Sequence, residues 1–75
     1  MLLGKLRILS GKEVCRILAK YGFGQIRQKG SHIIMQKTVE NGTITVPIPN
    51  HDTIKIGTLQ SIIRQSQIPR KEFEL

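Results

Sequence analysis

The sequence is short and strongly basic: 75 residues, a net charge of +7, one cysteine and two histidines. A chain of this length forms one small domain, here predicted over residues 1–75. Such a domain buries only about 60–65% of its unfolded surface, which excludes a deep pocket under a lid. The charge favours a polyanionic partner, namely nucleic acid, an anionic membrane or an acidic protein, and a merely solvated basic surface is the plainer alternative.

Cysteine and hydropathy patterns exclude several classes of protein. A single cysteine, Cys15, excludes an internal disulfide and a cysteine-based zinc site, and two histidines are a weak basis for any metal site. We therefore predict no metal and no small-molecule cofactor. Lys5 and Arg7 interrupt the apolar and basic lead-in of residues 1–9 too early for a signal peptide, and no run approaches the roughly 20 apolar residues that span a bilayer. We expect a cytoplasmic protein without a membrane segment.

The first helix has clear signals at both ends. Ser10 and Glu13 have the spacing of a capping box, with Ser10 at the N-cap, and Gly22 is predicted to end the helix as its C′ residue. Leu9 and Val14 occupy the positions of a hydrophobic staple. Apolar residues at helical spacing define one buried stripe, made of Val14, Ile17, Leu18 and Tyr21. Cys15 lies beside this stripe and is interpreted as a half-buried filler rather than a nucleophile.

A β-hairpin is predicted next, with strands at residues 25–29 and from His32 to about Val39. Its two-residue loop has glycine first, which suits a type II′ turn of Gly30 and Ser31. The predicted cross-strand pairs are Lys29–His32, Gln28–Ile33, Arg27–Ile34 and Ile26–Met35. Since paired residues share a face, the predicted buried face has Ile26, Ile33 and Met35. The opposite, open face has Arg27, Lys29 and His32.

Asn41-Gly42 predicts a second hairpin and a third strand. The predicted pairs are Glu40–Thr43, Val39–Ile44, Lys37–Val46 and Met35–Ile48. This register adds Ile44, Val46 and Ile48 to the buried face, so both turns agree on a three-stranded antiparallel meander. Residues 47–52 are expected to leave the sheet, because proline donates no ladder hydrogen bond.

A second helix is predicted over roughly residues 57–67, with Leu59, Ile62 and Ile63 on one face. Either Lys55 or Thr58 marks its start, and Pro69 ends it. Residues 69–73 form a last turn or a frayed tail. The predicted fold is therefore α+β in the order α-β-β-β-α, with two helices on one face of a three-stranded antiparallel sheet. This is the arrangement of double-stranded RNA-binding domains.

Basic residues on the open face suggest phosphate binding. Arg27 and Lys29 lie there, and Lys55 stands before the second helix, whose N-terminal amides attract phosphate. Aromatic residues are nearly absent, so contacts with the RNA backbone are better supported than stacking of bases on exposed rings. For any single lysine, plain solvation remains the simpler interpretation.

His32 is the one candidate for catalysis. A turn histidine that bonds to the backbone is the simpler interpretation of its position. Its functional interpretation is general acid–base catalysis on RNA, since an imidazole can take the proton of a ribose 2′-OH or protonate the leaving 5′-oxygen. His51, between Asn50 and Asp52, is interpreted as structural or substrate-touching.

Several motifs of the chain, within residues 8–73, resemble the HicA-type (YcfA-like) toxins of toxin–antitoxin pairs. They are Ser10-Gly11-Lys12-Glu13-Val14, Tyr21-Gly22-Phe23, Arg27-Gln28-Lys29-Gly30-Ser31-His32, Val46-Pro47 and Gly57-Thr58-Leu59-Gln60-Ser61-Ile62-Ile63-Arg64-Gln65. The resemblance implies a double-stranded-RNA-binding-like fold, ribosome-independent mRNA cleavage and inhibition by a HicB-type antitoxin. It also implies that His32 is the catalytic histidine. Gln67 stands where many members have glycine, which leaves the end of the second helix open.

The residues and the resemblance together lead to three hypotheses about function. The leading hypothesis is a metal-independent endoribonuclease toxin with His32 as general acid/base and an RNA-binding set of Arg27, Lys29, Gly30, Ser31 and Lys55. The second is a noncatalytic RNA-binding module of the same fold, in which His32 is structural. The third is a basic interaction protein whose partner is an acidic protein.

Overall fold

The elements follow the predicted order α-β-β-β-α. The computed structural model describes residues 4–75, so residues 1–3 of the predicted lead-in lie outside the described residues. Its elements are α1 (Gly11–Lys20), β1 (Gly24–Lys29), β2 (His32–Val39), β3 (Gly42–Pro49), α2 (Ile56–Ser66) and a 3₁₀ turn (Arg70–Phe73). The strands form one antiparallel sheet in the order β1-β2-β3. The α+β class and the three-stranded antiparallel sheet are confirmed.

Helix α1 begins and ends where its sequence signals predict. The Ser10 hydroxyl accepts a hydrogen bond from the Glu13 N–H at 3.1 Å, and the Glu13 carboxylate accepts one from the Ser10 N–H at 2.9 Å. This capping box satisfies two backbone donors that the helix itself leaves unpaired. At the other end, Tyr21 is the C-cap and Gly22 adopts a φ of +90°. Leu9 and Val14, the predicted staple, are both buried.

The β1–β2 hairpin has the predicted register near its turn and departs from it further away. Lys29–His32, Gln28–Ile33 and Arg27–Ile34 are paired as predicted. Beyond Arg27 a β-bulge shifts the ladder, so that Gln25 rather than Ile26 lies opposite Met35. The predicted burial of Ile26 is wrong: this side chain is 51% exposed. The reason is tertiary, because the two helices pack on β2 and β3 and leave all of β1 exposed.

The β2–β3 register differs from the prediction by two residues. Val39 lies opposite Gly42, Met35 opposite Val46 and Ile33 opposite Ile48. A shift of two residues keeps every side chain on its face, so the predicted buried set of β3 is unchanged. The predicted register would have set Ile33 opposite Asn50. The observed one pairs the two core-facing residues Ile33 and Met35 of β2 with buried residues of β3.

Strand β3 continues through Pro49, which corrects the prediction that residues 47–52 leave the sheet. Pro47 lies opposite Ile34, and Pro49 lies opposite His32. Proline is tolerated here because β3 is an edge strand, on which alternate N–H groups point away from the ladder. The two prolines are two residues apart, so both can occupy such outward positions. Only residues 50–52 leave the sheet.

One hydrophobic core lies between the helices and the sheet. Its members from the sheet include Ile33, Met35, Val46 and Ile48, and its members from the helices include Val14, Ile17, Leu18, Leu59 and Ile62. Because the sheet residues of this cluster share one face, both helices cover that face and the opposite face is free of helices. Among the described residues, Ile34 is the buried apolar side chain that lies outside the cluster.

The ends of α2 and of the described chain have defined caps and pack against the core. Lys55, not Thr58, is the N-cap of α2, and Gln67 is its C-cap in the left-handed conformation. Of the two alternatives predicted for residues 69–73, the structure has the last turn, and its Phe73 is completely buried in the core. An isolated bridge between Leu6 and Glu74 joins the lead-in to this turn. No helix among residues 4–75 is long and apolar enough to cross a membrane.

Candidate nucleic-acid interface

The turn between β1 and β2 presents His32 at the start of its strand. Gly30 has a φ of +59° and is the only left-handed residue of the turn, as in the predicted type II′ geometry. The Gly30 carbonyl accepts a hydrogen bond from the Gln28 side-chain amide at 3.2 Å, and the Ser31 carbonyl accepts one from the Asn50 N–H at 2.7 Å. The second bond attaches the turn to the loop after β3, so the position of His32 is held from two sides.

His32 lines a shallow depression on the helix-free face, together with the two cations that the sequence placed beside it. The depression, called the His32 depression below, is lined by Arg27, Lys29, His32, Ile34, Thr45 and Pro47. His32, Lys29 and Arg27 are all exposed. No carboxylate belongs to this lining, so the two cations give it a positive potential that attracts an anion.

Lys55 lies in a different place from the other predicted site residues. It lines a second depression at the start of α2, with Pro49, His51, Thr53, Ile54 and Thr58. Helix α2 has no side-chain cap and no acidic residue in its first turn, so its N-terminal N–H groups remain available to an anion. Pro49 connects the two regions, because it lines the second depression and lies opposite His32.

The aromatic side chains are not available for stacking. Phe23 and Phe73 are buried. The hydroxyl of the half-buried Tyr21 donates to a Glu72 carboxylate oxygen at 2.7 Å, and this hydrogen bond raises the pKa of Tyr21. Lys37, on the core-side face, extends over the Phe23 ring at 5.9 Å from its centroid. Among residues 4–75, the helix-free face therefore has no aromatic platform.

Three residues of the His32 depression were not predicted as site residues. Ile34 was available from the sequence, because the predicted register already paired it with Arg27. Thr45 lies between the predicted buried residues Ile44 and Val46, so the predicted alternation also puts it on the open face. Pro47 was missed because it was expected to leave the sheet, so only the observed register brings it beside Ile34.

Other reactive groups lie away from this depression. Cys15 is half-buried against the core, and this burial raises the pKa of its thiol, which suits the predicted filler role. Within residues 4–75, no three histidine, cysteine, aspartate or glutamate side chains are grouped as a metal site would require.

Residues 11–68 match the family model described as the HicA toxin of bacterial toxin–antitoxin systems. The chain belongs to the HicA toxin family. The match covers well over half of the sequence and includes every element from α1 to α2. A search of curated proteins returned no match.

Membership of the HicA family establishes the chain as the toxin of a toxin–antitoxin system, with a cognate antitoxin as partner. All six predicted site residues, those of the His32 turn and Lys55, lie within the matched region. The resemblance recognised from the sequence is thereby confirmed at the level of the family.

Proposed function

We propose that this HicA-family chain, as one domain over residues 1–75, is a metal-independent endoribonuclease that cleaves mRNA. The supporting observation is the exposed imidazole of His32 beside Lys29 and Arg27, in a depression free of carboxylates. RNA carries its own nucleophile, the ribose 2′-OH, so cleavage requires only proton transfer and charge stabilisation from the protein.

The reaction would proceed by transesterification. The 2′-oxygen bonds to the adjacent phosphorus, the bond from phosphorus to the 5′-oxygen breaks, and the products carry a 2′,3′-cyclic phosphate and a 5′-hydroxyl. His32 takes the 2′-OH proton or protonates the leaving 5′-oxygen, and because the depression is open, water can exchange the other proton. Lys29 and Arg27 stabilise the negative charge on the non-bridging phosphate oxygens.

The remaining residues of the predicted RNA-binding set act as backbone contacts. Gly30 leaves the turn unobstructed, since a Cβ at this position would have no atom within 4 Å, and Ser31 is exposed beside it. Lys55 would hold a neighbouring phosphate at the start of α2. The RNA backbone thus extends from the His32 depression past Pro49 to the second depression.

The cognate antitoxin is proposed to be of the HicB type and to cover the His32 depression. A surface with a net charge of +7 suits an acidic cover, because complementary charge accelerates association. A substrate of mRNA favours the cytoplasmic location expected from the sequence, and that location is part of this proposal.

The experiment compares the wild type with His32→Ala on a long RNA in the presence of EDTA. His51→Ala is the comparison variant, because it removes the imidazole of the second depression, away from the phosphodiester that is cleaved. Its RNA affinity is measured alongside, so that a loss of binding is not counted as a loss of catalysis. Loss of general acid–base catalysis lowers the rate by about 10²–10⁴-fold. We expect this loss for His32→Ala only, with unchanged circular dichroism and RNA affinity.

Each alternative has its own outcome. RNA binding without cleavage by the wild type would select the noncatalytic RNA-binding module. Absence of RNA binding, together with tight binding of an acidic protein, would select the interaction protein. A folded His32→Ala variant that cleaves at the wild-type rate would make His32 structural.

A further inference from the structure

The helix-free face of the sheet has an apolar patch next to His32. Ile34 is only 7% exposed although neither helix covers its face. Its two neighbours in β2, Ile33 and Met35, point into the core, so Ile34 points away from it. Pro47 lies directly opposite Ile34 on the same face and is exposed. A sheet face that contacts only water does not require apolar side chains at these two positions.

A hydrogen-bonded polar pair lies directly beside this patch. Gln36 and Thr45 are the next pair on the same face, and the Gln36 side-chain amide donates to the Thr45 hydroxyl at 3.0 Å. Because the Thr45 oxygen accepts this bond, its own proton is free to be donated outward. The carbonyl oxygen of the Gln36 side chain is an acceptor beside it. We call the apolar patch and the polar pair together the base platform, which consists of Ile34, Pro47, Gln36 and Thr45.

We propose that the base platform binds one unpaired nucleobase of the RNA. The base packs on Pro47 above Ile34, and its Watson–Crick edge exchanges hydrogen bonds with the Thr45 hydroxyl and the Gln36 side chain. The inference rests on the proposed function for its ligand, RNA, and deepens it by making the substrate single-stranded. In a duplex the Watson–Crick edge is occupied by the opposite strand.

The spacing along the strands suits a single nucleotide. His32 and Ile34 are two residues apart on one face, which corresponds to about 7 Å at about 3.4 Å per residue. A ribose whose 2′-OH meets His32 can therefore extend its own base, or that of its neighbour, over Pro47. Arg27, paired with Ile34, lies at the same level and is available for the phosphate that joins the two nucleotides.

The polar pair also gives the platform a means of selecting bases. Hydrogen bonds to base edges carry sequence information, whereas phosphate contacts do not. A donor and an acceptor held side by side discriminate among bases by the order in which each edge offers its own groups. The platform thus predicts a preference in binding and in cleavage that the cations alone would not produce.

The test measures RNA binding in a variant that is expected not to cleave RNA, so that the affinity can be determined on intact RNA. His32→Ala is combined with Thr45→Val, which removes the hydroxyl at nearly constant volume, and titrated with four homopolymeric RNA hexamers and one RNA duplex. Thr43→Val is the matched control, since Thr43 lies on the same face one pair further from His32. Thr45→Ser restores the hydroxyl.

We expect the parent His32→Ala protein to prefer one hexamer over the others and over the duplex. One lost hydrogen bond corresponds to about three- to tenfold in affinity. Thr45→Val should reduce the preference by that factor, whereas Thr43→Val and Thr45→Ser should retain it. Circular dichroism identifies any variant that fails to fold. If Thr45→Val does not fold, the hexamer preference of Thr45→Ser is the test, and a folded Ser variant without that preference contradicts the role of the hydroxyl.

Four results would overturn the inference. Equal affinity for all four hexamers, or equal affinity for the duplex, removes the base platform while the proposed RNA cleavage stands. A preference that survives Thr45→Val in a folded protein does the same. Absence of binding to every RNA overturns the platform together with its ligand, and that result is also the failure of the proposed function.

Discussion

Lys29 and His32 lie directly opposite each other at the end of the β1–β2 hairpin, and both line the same depression. A type II′ turn of two residues imposes this pairing, so the ammonium group and the imidazole are on one side of the sheet whatever the rest of the fold does. When His32 transfers a proton during cleavage, the phosphate that reacts would therefore lie within reach of the Lys29 ammonium group.

The first prediction concerns the salt dependence of RNA binding. Lys29→Ala should weaken binding to all single-stranded sequences and reduce the slope of log affinity against log salt by about 0.7, the value for one phosphate contact. Lys20→Ala, which removes the same charge from exposed α1 on the other side of the sheet, should change the slope less. Filter binding from low to moderate salt provides the measurement. An unchanged slope removes Lys29 from the RNA footprint.

A second prediction concerns the antitoxin. Association with a HicB-type antitoxin should be fast and should slow as salt is added, because charge complementarity acts mainly on the association rate. Stopped-flow mixing with wild type and Lys29→Ala separates the part of this effect due to the His32 depression. Cleavage that continues undiminished at an excess of antitoxin would contradict occlusion of the depression.

The end of α2 gives a prediction of stability. Gln67 has a φ of 61° and an exposed side chain, and the left-handed conformation costs a residue with a Cβ about 1–2 kcal/mol. Gln67→Gly should raise the free energy of unfolding by about 1 kcal/mol after the greater freedom of glycine in the unfolded chain is counted. In a domain of this size that corresponds to a rise in Tm of roughly 4–8 °C.

The matched control for this change is Gln65→Gly, two residues earlier. Gln65 is exposed and helical, so glycine there should lower the free energy of unfolding by about 0.5–1 kcal/mol. Thermal unfolding of the two variants should therefore shift in opposite directions. Equal shifts would show that the left-handed C-cap is not a source of strain.

The capping box predicts an acid-dependent part of the stability. The hydrogen bond from the Ser10 N–H holds the pKa of the Glu13 carboxyl below its usual range. Because the folded pKa is below the unfolded one, the contribution is present above the unfolded pKa, about 4.3 for glutamate. It is lost as the pH falls through the folded pKa.

Glu13→Gln should therefore destabilise the protein at neutral pH and have less effect in acid. Urea unfolding at several pH values, with Ser10→Ala and the double variant, checks the coupling. The double variant should lose less free energy of unfolding than the two single variants lose together, since each single change already breaks the same capping box. An equal effect of Glu13→Gln at every pH would disprove the linkage.

Much of this protein was predictable because its signals are local. The α1 boundaries follow from the capping box and Gly22, and the grouping of Arg27, Lys29 and His32 follows from one tight turn. Alternation along β2 and β3 determined which side chains face the core, since a shift of two residues preserves the faces. The family resemblance rests on the same segments.

Only the tertiary structure decided what depends on distant neighbours. The helices pack on β2 and β3, so Ile26 is exposed despite its apolar character. The order of strands makes β3 an edge, which allows Pro47 to remain in the sheet and to lie opposite Ile34. Lys55 belongs to a separate depression because α2 starts beyond the end of β3. In each case the local sequence pattern is compatible with several tertiary arrangements. The burial of one shared hydrophobic core selects among them.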